Sequence, residues 1–149
     1  MSDAVVYCDG ACEPVNPGGI ATYGWVAYWK GEERATDCGE VCRGDGATNN
    51  VAEYSALIKA LEFFIGKNFT GPLTVRSDSQ LMINQMTGAW GVKSENIRPY
   101  FLRGRELASK FNTIIFEWVP RKKNERADWL SKKAYLDAER KGGRYDGNR

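Results

Sequence analysis

Four acidic residues, Asp9, Glu53, Asp78 and Asp128, stand in short settings rich in turn and cap residues: VVYCDG, TNNVAEY, TVRSDSQ and NERADWL. Each setting reads as the end of a strand or the start of a helix. Four separate segments could therefore bring their carboxylates to one edge of a layered fold, where sites rather than cores are built. Taken singly, each acid has an ordinary explanation. Asp9-Gly10 is a turn dipeptide, Asn50-x-x-Glu53 matches a capping box, Asp78 before Ser79 suits a helix cap, and Asp128 suits the positive end of the last helix. Energy decides what the four would need together. Two carboxylates ~5 Å apart repel by roughly 3 kcal/mol at an effective dielectric near 20, so a cluster must take up protons or hold cations. All-oxygen donors select hard ions, Mg²⁺ or Mn²⁺, and two such ions side by side suit in-line cleavage of a phosphodiester.

The elements that must carry these acids are legible from periodicity. Residues 4–8, AVVYC, form an apolar, β-rich run that reads as a central strand ended by Asp9-Gly10, with a Pro/Gly-rich loop from Glu13 to Gly19 behind it. Ile20 to Trp29 and Arg34 to Cys42 read as a hairpin around Lys30-Gly31-Glu32-Glu33. From Thr48 the pattern turns helical, with Val51, Tyr54, Leu57, Ile58, Leu61 and Ile65 on one face until Gly66. A strand over Leu73–Ser77 leads into Asp78, a helix over Ser79–Met86 into a Gly-rich turn at Gly88–Gly91. A helix over Asn96–Phe111, a strand over Ile114–Val119 closed by Pro120, and a helix over Glu125–Lys141 complete the chain. The order predicts a mixed α/β fold, a five-stranded mixed sheet flanked by helices, in which the later strands are parallel neighbours. If the strands carrying Asp9 and Asp78 are adjacent, the two side chains meet at one edge, and Glu53 in the first turn of its helix leans over the same spot.

With 149 residues, 42% of them hydrophobic, the chain has material for one domain over residues 1–141, leaving 142–149, GGRYDGNR, as a frayed tail. No apolar run approaches the ~18 residues of a membrane span, and MSDAVVYCDG has no secretory character, which points to a cytoplasmic protein without a membrane. The net charge of +2 hides an asymmetry: residues 1–97 carry 7 Lys/Arg against 12 Asp/Glu, whereas residues 98–149 carry 14 against 7. A basic second half suits a polyanion, although a solvated helix face gives the same composition. Cys8, Cys12, Cys38 and Cys42 form two C-x-x-x-C pairs, but this is wider than most zinc spacings and the chain has no histidine, so reduced thiols are the expectation.

The segments YCDGACEPVNPGG, ATNNVAEYSALIKAL, RSDSQLMINQMTG and WVPRKKNERADWLSKKA resemble the successive signature blocks of the type 1 ribonuclease H family, in the same order, over about Val5 to Tyr135. The resemblance implies a ribonuclease H-like fold and an endonuclease that hydrolyses the RNA strand of RNA/DNA hybrids to 5′-phosphate and 3′-hydroxyl ends. It further implies that a monomer works with two Mg²⁺ ions, for which Mn²⁺ can substitute, held by Asp9, Glu53, Asp78 and Asp128. By this likeness Asp9 bridges the ions, Asp128 serves the ion that activates water, and Glu53 and Asp78 serve the ion beside the leaving oxygen. Gly10 and Cys12 of the D-G-x-C block, together with Asn16, Asn49, Asn50 and Gln80, match positions at the hybrid. Thr48 matches a DNA-phosphate contact, and Trp90 could stack on a DNA sugar. Short amides suit the reading of 2′-hydroxyls across a wide minor groove.

Two departures from the family stand out. Many members carry a histidine between the last strand and last helix, where this chain has Pro120 to Asn124; any role of that histidine falls to Arg121, Lys122 or Lys123 or is lost. Some members also have a Lys/Trp-rich basic protrusion, replaced here by the short GAWGVKSENIRPY. Two other readings stay open: a catalytically silent hybrid-binding module, against which the four mutually repelling acids argue, and a different nuclease of the same broad fold, against which the T-N-N and D-S-Q blocks argue.

Overall fold

A computed structural model describes residues 3–142. Of the expected frayed tail, residues 143–149 lie outside the described residues. The elements in chain order are β1 (Ala4–Glu13), β2 (Ile20–Trp29), β3 (Glu32–Arg43), α1 (Asn49–Gly66), β4 (Leu73–Ser77), α2 (Gln80–Met86), α3 (Arg98–Ala108), β5 (Ile114–Trp118) and α4 (Glu125–Lys141), with a 3-10 turn at Arg121–Lys123. They form one five-stranded mixed sheet in the order β3-β2-β1-β4-β5. The β1-β2-β3 meander is antiparallel, and β4 and β5 add in parallel beside β1. Helical crossovers separate the parallel strands, as such pairing requires.

Three boundaries differ from the sequence reading for physical reasons. The β2–β3 turn is only Lys30-Gly31, both in the left-handed region at φ 55° and 78°. That is the backbone of a tight two-residue hairpin, so β3 starts at Glu32 instead of Arg34. β1 continues to Glu13 because β2 pairs with it along its whole length, from Ala4↔Trp29 to Glu13↔Ile20. The helix expected over 96–111 is trimmed to α3: Ile97 donates its N–H to Ser94 Oγ in an entering turn, and Pro99 occupies the first helical turn, where its missing N–H costs nothing.

Alternation along β1 sorts the layers. Ala4, Val6 and Cys8 point into the main core with Trp25, Tyr54, Leu57, Leu61, Phe64, Val75 and Met82, under α1, α2 and α3. Val5 and Tyr7 line the opposite face, where α4 begins. α4 lies on that second face with small buried residues, Ala127, Ser131, Ala134 and Ala138, which keep it close to β2. Asp9, two residues beyond Tyr7, belongs to the α4 face of β1.

Candidate active site

β1 and β4 run in parallel register from Ala4↔Leu73 to Cys8↔Ser77, so Asp9 and Asp78 are the next residue on each strand. β4 stops there because Ser79 turns the chain. Its Oγ accepts from Met82 N–H at 3.2 Å to cap α2, and its own N–H donates to Ser77 Oγ at 3.1 Å. β1 does not stop. Asp9 is a mid-strand residue opposite Gly24, not the strand end expected, because the ladder to β2 continues to satisfy its backbone after β4 has left. The cap readings shift likewise. Thr48, whose Oγ accepts from Val51 N–H at 3.0 Å, caps α1, which places Glu53 in the second turn rather than in a capping box. Ser79, not Asp78, caps α2, and Asp128 sits in the first turn of α4 with Asn124 at the cap position.

Two glycines let the helices close on Asp9 from both sides. A Cβ on Gly10 would lie 2.3 Å from the Ala52 carbonyl carbon and 2.5 Å from Glu53 N. A Cβ on Gly24 would lie 2.7 Å from Ser131 N and 2.8 Å from Leu130 Cβ. Without side chains there, α1 delivers Glu53 over one face of β1 and α4 delivers Asp128 and Ser131 over the other. One oxygen of each of Asp9, Glu53 and Asp78 lies within 4.8 Å of the others. Asp128 joins from the α4 side, half-buried, with Oδ2 3.2 Å from Lys132 Nζ. Ser131 ties this side together: its hydroxyl lies 2.9 Å from the Asp128 carbonyl and 3.4 Å from Asp9 Oδ2.

The electrostatics are those of a site short of positive charge. Asp9 is 5% exposed and Glu53 6%. Burial, then the charge of Asp78, then the hydrogen bond and charge of Asp128 push the Asp9 carboxyl up to about 8. Burial, followed by the charges of Asp9 and Asp78, holds Glu53 well above the usual carboxylate range. Glu53 Oε1 is buried with no hydrogen-bond partner, although unpartnered buried acceptors are rare. An orphaned carboxylate oxygen within a tight all-oxygen donor set fits a hard divalent cation.

The remaining expected residues fall into two groups. Asn16 Oδ1 accepts from Asn49 N–H at 3.0 Å, locking the loop after β1 to the start of α1, where Thr48 and Asn50 enter a cleft of about 350 Å³ shared with Gln85, Lys93, Ser94 and Asn96. Gln80 is exposed on the first residue of α2, Trp90 is 48% exposed in the turn after it, and Arg121 is exposed at the start of the 3-10 turn. Gly10 and Cys12 are not at the surface. Gly10 is buried under α1, and the Cys12 thiol, expected to face substrate, turns inward to the carbonyls of Val15 (3.3 Å) and Ala47 (3.5 Å). Three residues not singled out in the sequence complete the arrangement: Gly24, Ser131 and Asn124. Asn124, 1% exposed, donates from Nδ2 to Cys8 O at 2.8 Å and to Asp78 Oδ1 at 3.3 Å, joining the middle of β1 and the end of β4 to α4. Its signal was present, as the residue that opens NERADWL.

A four-carboxylate edge on a sheet of this topology defines the ribonuclease H-like class of nuclease folds. The family model described as reverse transcriptase-like matches residues 7–134. Ribonuclease HI of Halobacterium salinarum is 42% identical over 136 residues, which cover 89% of this chain and 64% of that protein. The N-terminal RNase H domain of Rv2228c from Mycobacterium tuberculosis superposes with a TM-score of 0.86 at 34% identity, covering 96% of this chain and all of that one. LC11-RNase H1, solved in complex with an RNA/DNA hybrid, superposes with a TM-score of 0.81 at 31% identity over 91% of this chain and 98% of that one. The chain belongs to the type 1 ribonuclease H family. It spans 64% of the Halobacterium relative and 35% of the full Mycobacterium tuberculosis protein.

Proposed function

We propose that residues 1–141 form a single catalytic domain that hydrolyses the RNA strand of RNA/DNA hybrids to 5′-phosphate and 3′-hydroxyl ends. The observation that carries this reading is the convergence of Asp9, Glu53 and Asp78 within 4.8 Å, with Asp128 against Asp9, in a chain similar to hybrid-bound RNase H1. Asp9, Glu53, Asp78 and Asp128 would hold two Mg²⁺ ions, or Mn²⁺ in their place. When bound, such a pair offsets the cluster's charge and stabilises the attacking and leaving oxygens of an in-line displacement.

The chain's own residues do the rest. Asp9 and Glu53, whose pKa values are raised by burial and mutual repulsion, give up their protons when cations arrive, so metal loading is favoured by alkaline pH. Asn124 and Ser131 hold Asp78 and Asp9 in orientation by hydrogen bonds. Asn16, Asn49, Asn50 and Gln80 read the minor groove, the backbone at Gly10 and Cys12 shapes the floor, Thr48 takes a DNA phosphate and Trp90 a sugar. Lys93 in the same cleft as Thr48 adds a cation for the DNA strand. Arg121 occupies the loop in which other members carry histidine. Four free cysteines match a reducing compartment, consistent with a cytoplasmic protein, and a monomer is the working form. Among the described residues no helix is long and apolar enough to cross a membrane.

The test compares cleavage of RNA/DNA hybrid, double-stranded RNA and double-stranded DNA, with Mg²⁺ or EDTA, for the parent and Asp9→Asn. Hybrid-specific cutting by the parent, lost by orders of magnitude in Asp9→Asn while hybrid binding in EDTA persists, is the expected result. A parent that binds hybrid but never cuts would make it a silent binding module.

A further inference from the structure

The α4 face of the sheet carries a second cleft, also about 350 Å³, walled by Tyr7 of β1, Tyr28 of β2, Arg76 of β4, and Lys123, Asn124 and Arg126 at the entry to α4. It shares no lining residue with the cleft beside Thr48 and Lys93. Its chemistry has two parts. The first is cationic. Three basic side chains line it and no carboxylate does. Arg76 is held by Glu117 and Tyr7, and Arg126 by Glu33, so their guanidinium groups are fixed in place. Lys123 is exposed and has no ion-pair partner among the described residues. The second part is flat and apolar. The rings of Tyr7 and Tyr28 meet edge to face, 5.7 Å between centroids at 83°, and the Arg76 guanidinium lies 5.6 Å from the Tyr7 centroid.

An inorganic anion would engage the cations and leave the aromatic wall unmatched. An apolar ligand would desolvate the unpaired Lys123 ammonium without compensation, which is costly. A small molecule that joins a phosphate to a flat ring matches both. We propose that this cleft is a binding site for a nucleoside 5′-monophosphate, with the phosphate on Lys123 and Arg76 and the base against Tyr28. Aromatic faces accept any base, so the site selects the phosphate and the ring rather than one nucleobase.

The inference stands apart from hybrid cleavage, since it needs neither metal nor hybrid. Isothermal titration of the full chain with 5′-AMP, adenosine and inorganic phosphate, all in EDTA, tests it. EDTA removes the divalent ions through which the carboxylate edge would hold a phosphate. The expected result is saturable one-site binding of 5′-AMP, with adenosine and phosphate each about tenfold or more weaker, and at least about a tenfold loss for 5′-AMP in Lys123→Glu. Tyr28→Leu should weaken 5′-AMP and leave phosphate unchanged. If that variant fails to fold by circular dichroism, Lys123→Glu still decides, because its side chain is exposed and unpaired. Absence of saturable binding, unchanged affinity in Lys123→Glu, or phosphate binding as tightly as 5′-AMP overturns the proposal.

Discussion

Replacing Asp9 with Asn should make the metal-free protein more stable, and by an amount that grows with pH. Asp9 sits at about 8 in the folded chain against 3.8 for a free side chain, raised first by burial and then by Asp78 and Asp128. A carboxyl raised by folding favours the native state while it is protonated. That contribution is full below the unfolded value and is lost as pH rises through the folded one. Between those limits one such group changes stability by roughly 1.4 kcal/mol per pH unit, or ~4 kcal/mol from pH 5 to pH 8 taken alone. Glu53 shares the same repulsion, and charges within 4.8 Å at an effective dielectric near 20 repel by about 3 kcal/mol. Asp9→Asn removes the titrating group at constant size. It should exceed the parent by ~5 kcal/mol at pH 8 and by ~1 kcal/mol at pH 5, about 10–20 °C and 2–4 °C in Tm for a chain of this length. The assay is thermal unfolding by circular dichroism of both proteins in EDTA at the two pH values, repeated at pH 8 with saturating Mg²⁺, which should narrow the gap by stabilising the parent. An Asn variant no more stable than the parent at pH 8, or equally advantaged at both pH values, would refute the reasoning that these carboxylates repel in the folded state.

Other expectations follow from packing and spacing. Gly10→Ala and Gly24→Ala each force a backbone-facing Cβ into contacts under 3.0 Å, and each should cost ~3 kcal/mol and most of the cleavage rate, measured by denaturant unfolding and a hybrid-cleavage assay. Gly31→Ala, in the open β2–β3 turn, should lose only the stability expected of its positive φ and keep activity. Asn124→Ala strips a buried donor from Cys8 O and Asp78 Oδ1, so it should lower stability by ~1–3 kcal/mol and raise the Mg²⁺ concentration needed for half-maximal rate. Protein purified without added metal should contain far less than one equivalent of zinc by atomic absorption; Cys8 and Cys12 lie four residues apart along one strand, ~13 Å, too far for one ion. Arg121→His tests the loop that lacks histidine: a faster rate would mean the loop had lost a useful group, whereas an unchanged or slower rate would mean that it works by another route.

Much of the site was readable in one dimension because its parts are local. The four acids, their turn and cap settings and the order of elements depend on neighbours a few residues away, and a strand of AVVYC type or a helix with Val51, Tyr54, Leu57 and Leu61 on one face is specified by its own periodicity. β2, β4 and α4 begin and end where periodicity placed them. What the sequence left open depends on pairing over long separations. Asp9 is mid-strand only because β2 continues beyond the point where β4 leaves, and the C-x-x-x-C spacing excludes a metal only once Cys8 and Cys12 are both on β1. The inward turn of Cys12 depends on carbonyls as remote as Ala47, and the role of Asn124 on a mid-strand carbonyl 116 residues away. Gly10 and Gly24 look like turn residues or strand weaknesses until α1 and α4 are seen pressed against them. The chemistry of the acids was therefore set by residue type, which the sequence states outright. Their raised pKa values, their spacing and their support were set by tertiary structure, because burial and Coulomb repulsion depend on distances in space, and only the packed sheet brings residues 9, 53, 78 and 128 close enough for either to act.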